Sequence, residues 1–133
     1  MSITSQPGFL RTVLNVDAAT CVATGLLMTL GGNFLSGITQ IPSSLLTAAG
    51  LSLFPVAAFI LLVATHTSIP STGVWSVVLG NIAWVLASLW LLFGSQTGAN
   101  GLGLTFIAMQ AIAVAALAEL EIIGVRKQAY AAQ

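Results

Sequence analysis

Charge is what this chain has least of. Three Lys or Arg and three Asp or Glu make up 5% of its residues, against about 25% in soluble domains. So few charges cannot clothe a soluble surface, which excludes a water-soluble globule. The net charge is zero, so the basic footprint of a nucleic-acid binder is absent. One cysteine, Cys21, excludes a disulfide within the chain and any CxxC metal or redox site. One histidine, His66, has no second His to share a metal with. No Gly-rich phosphate loop, metal-ligand cluster or nucleophile motif is found. The expectation is a protein without metal or cofactor that is not an enzyme.

What is present is apolar. Hydrophobic residues make up 57% of the 133, and the mean hydropathy is +1.03. Four long apolar runs stand out, at residues 9–30, 44–65, 73–93 and 101–125. Each is ~20 residues or slightly longer, which matches a ~30 Å hydrocarbon core at 1.5 Å per residue. The expected fold is all-α: one domain, 1–133, a four-transmembrane-helix bundle running up-down-up-down. The first run reads as a retained helix and not as a cleaved signal. Asn15 and Asp17 interrupt it, and it reaches Leu30 without a small-x-small cleavage site.

The connections follow from the breakers. Pro7-Gly8 closes a polar tail over 1–8, and Gly31-Gly32 ends the first span. The uncharged segment 31–43 carries Phe34, Leu35, Ile38 and Ile41. It is expected at the lipid interface or folded back over the bundle. Pro55 is expected to kink the second span. Residues 66–72 form a polar turn, 95–100 a tight polar loop and 128–133 a short tail.

Orientation follows from the basic residues. Arg11 precedes the first span, and Arg126 and Lys127 follow the fourth. Four spans place all three on one side, so both termini are expected in the cytoplasm and the protein in the cell inner membrane. Phe9, Trp75 and Tyr130 then lie near the inner interface, and Phe34, Trp90 and Phe93 near the outer one.

Polar residues inside the spans are the functional candidates, because a carboxylate facing hydrocarbon costs roughly 2.5–3.5 kcal/mol on insertion scales. Asp17, Cys21, Thr24 and Met28 share one helical stripe at i, i+4, i+7 and i+11, with Thr20 beside them. Counting rise, Asp17 and Asn81 each lie ~12 Å into their spans, and Glu119 ~10 Å from the basic end of the fourth. Asn81, Trp84 and Ser88 share a face. Glu119 lies on a stripe with Ala108, Ala111, Ala115 and Ala118, and small residues are where membrane helices approach closely. The expected cluster is therefore Asp17, Asn81, Trp84 and Glu119. Glu121 falls nearly opposite, on the side of Gln110, and is expected to snorkel toward the interface. Two readings of the cluster stand side by side. Hydrogen bonds between helices need no further role. Alternatively, two acids held close in low dielectric cannot both ionise easily, which makes a shared-proton or cation site.

The stretches LRTVLNVDAATCVATGLLM, NIAWVLAS and LAELEIIGVRK resemble those of small uncharacterised four-span integral membrane proteins of bacteria. The resemblance spans most of the chain. It implies an aspartate in the first span, an Asn-Trp pair in the third and a glutamate late in the fourth, here Asp17, Asn81, Trp84 and Glu119. It implies no activity. Small multidrug exporters also have four spans and an acid in the first, but this chain lacks their Trp and Tyr pattern around that acid. Two functions are carried forward. One is a non-enzymatic accessory or assembly subunit, whose partners are the bilayer and a protein partner or second copy within it. The other is a small proton-coupled transporter.

Overall fold

A computed structural model of the protein describes residues 7–94 and 97–131. The described residues are mostly helical, with no strand. Helix α1 spans Pro7–Leu30, α2 Gly32–Thr39, α3 Ser43–Ala64, α4 Ser71–Leu89 and α5 Gly101–Ala131; a π-turn, Trp90–Gly94, extends α4. Four of these, Gly8–Leu30, Ser43–Ala64, Ser71–Gly94 and Gly101–Tyr130, are long and apolar enough to cross a membrane. The protein is thus a four-span helical bundle.

The spans fall where the apolar runs place them, with local differences. α1 starts at Pro7, because proline is well placed in a first turn, where its missing N–H goes unused. α5 runs through Arg126 and Lys127 to Ala131. Residues 126–131 are therefore helix, where a stop and a tail were expected. α3 continues through Pro55 as one helix. Residues 1–6, 95, 96, 132 and 133 of the expected tails and loop lie outside the described residues.

The largest departure is segment 31–43, which holds a helix of its own. α2 turns Leu35 and Thr39 inward and leaves Phe34 70% exposed. Gln40, in the left-handed conformation at φ 60°, ends it. Asn100 then fastens it to α5. Its backbone N–H donates to Thr39 O at 2.9 Å, and its Nδ2 donates to Ile38 O at 2.9 Å. Its Oδ1 meanwhile accepts from Gly103 N at 2.8 Å, as an N-cap does. The segment thus folds over the bundle end, with Phe34 and Ile38 turned outward.

The opposite end carries both described chain ends and all three basic residues, and it too is tied. Arg11 caps the end of α3, donating from Nε to Ala64 O at 3.0 Å and from Nη2 to His66 O at 2.6 Å. Gln128 Nε2 on α5 donates to Ile69 O at 2.7 Å. Ala64 O is one of the four carbonyls left unpaired at a helix C-terminus, and His66 O and Ile69 O belong to the connection that follows. His66 is exposed, its ring nitrogen bonded to Leu62 O at 2.8 Å.

α1 packs most extensively on α3, and α4 on α5; α3 and α4 barely meet. The α1–α3 crossing is built on glycine. A Cβ at Gly50 would stand 2.9 Å from Met28 Cβ and 3.0 Å from Thr29 Cγ2, and one at Gly25 would stand 3.0 Å from Gly50 O. Such close approach is the usual use of small residues between membrane helices.

Candidate functional site: a buried carboxyl–amide cluster

Three helices bring one polar group each to the same point. Asp17 on α1, Asn81 on α4 and Glu121 on α5 are 2%, 6% and 0% exposed. Asn81 Nδ2 donates to Asp17 Oδ2 at 2.9 Å and to Glu121 Oε1 at 2.8 Å. One amide nitrogen thus spends both of its protons on two carboxyl groups from different helices. Cys21 Sγ, one turn above Asp17, lies 3.8 Å from its Oδ1, as a weak thiol donor. Glu121 Oε2 is buried and has no hydrogen-bond partner.

The layer holds Asp17 and Asn81 as their depth and facing suggested. It does not hold Glu119, which is exposed, and Glu121 takes its place instead of snorkelling. The reason is angular. At 100° per residue the two glutamates point about 200° apart, so only one can face inward. The buried side of α5 runs Ile107, Ala111, Ala118, Glu121 and Val125. Ala108 and Ala115, on the alanine stripe that pointed to Glu119, are only half-buried. A better signal was available: Gln110 and Glu121 stand eleven residues apart, three turns along one stripe, and two polar residues on one stripe mark the inward side better than alanines do.

A second polar group lies toward the α2 end. Trp84 Nε1 on α4 donates to Gln110 Oε1 on α5. Gln110 Nε2 donates to Ser88 Oγ at 2.9 Å and to Ile107 O at 2.8 Å, and Ser88 Oγ–H returns to Trp84 O at 2.8 Å. Trp84 and Gln110 thus bind each other and do not join the carboxyl pair. Thr24 is half-buried above Cys21.

Two cavities flank this second group. One of about 100 Å³ is lined by Asp17, Thr20, Cys21, Thr24, Asn81 and Trp84, among others. Its rim includes Val56, Gly80 and Ala113, which are exposed, so it communicates with the lipid-facing surface. The other, of about 160 Å³, is walled mainly by apolar residues, among them Met28, Leu46, Phe106 and Ile107. Trp84 and Gln110 line both. Among the described residues no three His, Cys, Asp or Glu side chains form a metal-holding group.

Fold and site define a class: a multi-pass helical membrane protein with a carboxyl pair bridged by an amide inside the bundle. No protein-family model, curated protein or solved structure matches the chain.

Proposed function

We propose that the protein is a non-enzymatic, proton-coupled carrier of the cell inner membrane, with both termini in the cytoplasm. The observation that carries this reading is the single Asn81 amide holding Asp17 and Glu121 together beside a cavity. Ionisable groups inside a membrane are expensive, and they commonly mark substrate or proton pathways. A purely structural tie needs only one acceptor for the amide; two acids bring a charge that must be neutralised by a proton or another cation. The exposed rim gives a solute access to that charge. Cytoplasmic termini are supported by Arg11, Arg126 and Lys127 all standing at one end of the bundle.

Membrane vesicles holding the protein test this. An imposed pH gradient should drive accumulation of lipophilic solutes from a radiolabelled panel, and Asp17→Asn with Glu121→Gln should abolish it while leaving the protein folded. Equal accumulation with the double variant, or none with the unaltered protein, rejects the carrier.

The slight contact between α3 and α4 favours a second reading, an accessory subunit whose partner packs along that seam. It requires a larger complex on gentle extraction, read as native mass. A monomer in every mild detergent counts against it.

A further inference from the structure

We propose that the two cavities together take a lipophilic monocation, an ammonium on an apolar body, with its head at Asp17 and its body beyond Trp84 in the apolar chamber. This rests on the carrier reading and names its substrate class.

Charge selects the head. Among the residues lining the smaller cavity are the Asp17 carboxyl and the Thr20 and Thr24 hydroxyls, but no Lys or Arg. An anion would meet a carboxyl there with no positive side chain to offset it. A neutral solute would gain nothing from the Asp17 carboxyl beyond a hydrogen bond. A cation at Asp17 can take the place of the proton that otherwise neutralises the pair. Small metal ions fit poorly: Ca²⁺ and Mg²⁺ need six or more oxygens, and apolar or weakly polar walls such as Leu53, Val56 and Val114 cannot supply them. An organic ammonium needs only a few acceptors and tolerates apolar neighbours. Trp84 adds an aromatic wall beside the head, where a cation gains from the ring quadrupole.

Shape selects the body. The larger cavity holds about 160 Å³ behind Met28, Leu46, Phe106 and Ile107. Trp84 and Gln110 line both the head and the body sites, bonded to each other and, through Gln110, to Ser88 and Ile107. Occupation of both chambers by one molecule requires that pair to swing aside. The step is a cation-for-proton exchange. The ammonium enters carrying one positive charge, one proton leaves the Asp17–Glu121 pair for water, and the net charge of the site is unchanged.

The test uses the full chain in lipid nanodiscs with Trp75→Phe and Trp90→Phe, so that Trp84 alone reports by fluorescence. The probes are 4-phenylbutylammonium and its neutral counterpart 4-phenylbutanol, with empty nanodiscs as the partition baseline. The ammonium should change the Trp84 signal saturably and bind at least about tenfold tighter than the alcohol, as a desolvated charge pair does. Asp17→Asn should erase that preference. Ala49→Phe, which narrows the apolar chamber and leaves the acids intact, should weaken binding and so serves if Asp17→Asn fails to fold. A pH dye in unbuffered solution follows proton release. Saturable, charge-selective binding with release supports both statements. Charge-selective binding without release supports the ligand class and rejects proton coupling. Equal binding of both probes, or binding of neither, overturns the ligand class, while the vesicle experiment above judges the carrier by itself.

Discussion

Removing the Asn81 amide tests the bridge most directly. Asn81→Ala deletes the donor of two hydrogen bonds, at 2.9 and 2.8 Å, to two carboxyl groups at most 2% exposed. In soluble proteins a bond to a charged partner is worth about 1.5–3 kcal/mol. Between membrane helices the measured average is only about 0.6 kcal/mol and the maximum about 1.7, because the unfolded chain in the bilayer also finds partners. Two such bonds therefore amount to roughly 1–3 kcal/mol. The midpoint, about 2 kcal/mol, is a factor of about 30 in the folded-to-unfolded ratio. Reversible unfolding in mixed micelles or bicelles, read by tryptophan fluorescence, resolves a change of that size. A double-mutant cycle isolates the bridge. In an Asp17→Ala, Glu121→Ala background Asn81→Ala should be close to neutral, because its acceptors are gone. Glu119→Gln, on an exposed side chain, should stay within about 0.5 kcal/mol of the unaltered protein. If Asn81→Ala is equally destabilising in both backgrounds, or if Glu119→Gln matches Glu121→Gln, the bridge is not what holds these helices together.

Three further expectations follow from the packing. Gly50→Ala pushes a methyl against Met28 and Thr29 and should destabilise by about 1–3 kcal/mol, whereas Gly80→Ala, whose Cβ meets nothing within 4 Å, should be near neutral; thermal unfolding ranks the pair. Arg11→Leu frees the carbonyls of Ala64 and His66 and also removes one of the three basic residues at that end, so it should lower the unfolding temperature and, under the proposed topology, increase the fraction inserted in the opposite orientation, read by protease accessibility. Under the proposed topology, single cysteines at Ser36 and Thr97, on a Cys21→Ser background, should label from outside intact cells, and one at Ser68 only after permeabilisation.

The fold was legible because each span satisfies a length rule and an apolar rule together, and three basic residues in the right places fix the parity of the count. α2 was not legible for the opposite reason. Eight residues rich in Gly, Ser, Thr and Asn look like loop, and they become helix only where Leu35 and Thr39 find the bundle end and Asn100 caps the carbonyls. At the site, Asp17 and Asn81 could be read from depth and facing: Asn81 is the one strongly polar residue of its span, and Asp17, unlike the exposed Asn15, shares a stripe with Cys21, Thr24 and Met28. Glu119 and Glu121 could not be separated by depth, since two residues differ by only ~3 Å of rise. Facing had to decide, and the inward face of α5 is set by its wedge against both α1 and α4, a tertiary fact. The alanine stripe marks a flank of that wedge and not its centre.

Both ends of the bundle are fastened through backbone carbonyls, by Arg11 and Gln128 at one end and Asn100 at the other. The middle holds the voids, the carboxyl pair and a tryptophan tied by one side-chain bond. An access change that rocked whole helices would have to break the end ties, whereas a swing of Trp84 and Gln110 breaks their mutual bond and those of Gln110 to Ser88 and Ile107. The distinction can be tested by stapling. A Cβ built on Gly124 stands 3.3 Å from Leu10 Cβ, near the separation of about 3.5–4.5 Å found in disulfides. Leu10→Cys with Gly124→Cys, on a Cys21→Ser background, should therefore cross-link α1 to α5 at the basic end. If the middle does the moving, the oxidised protein keeps its pH-driven accumulation of solute, and reduction changes it little. If oxidation stops accumulation and reduction restores it, the ends must part, and the swing of Trp84 is not the step that opens the site.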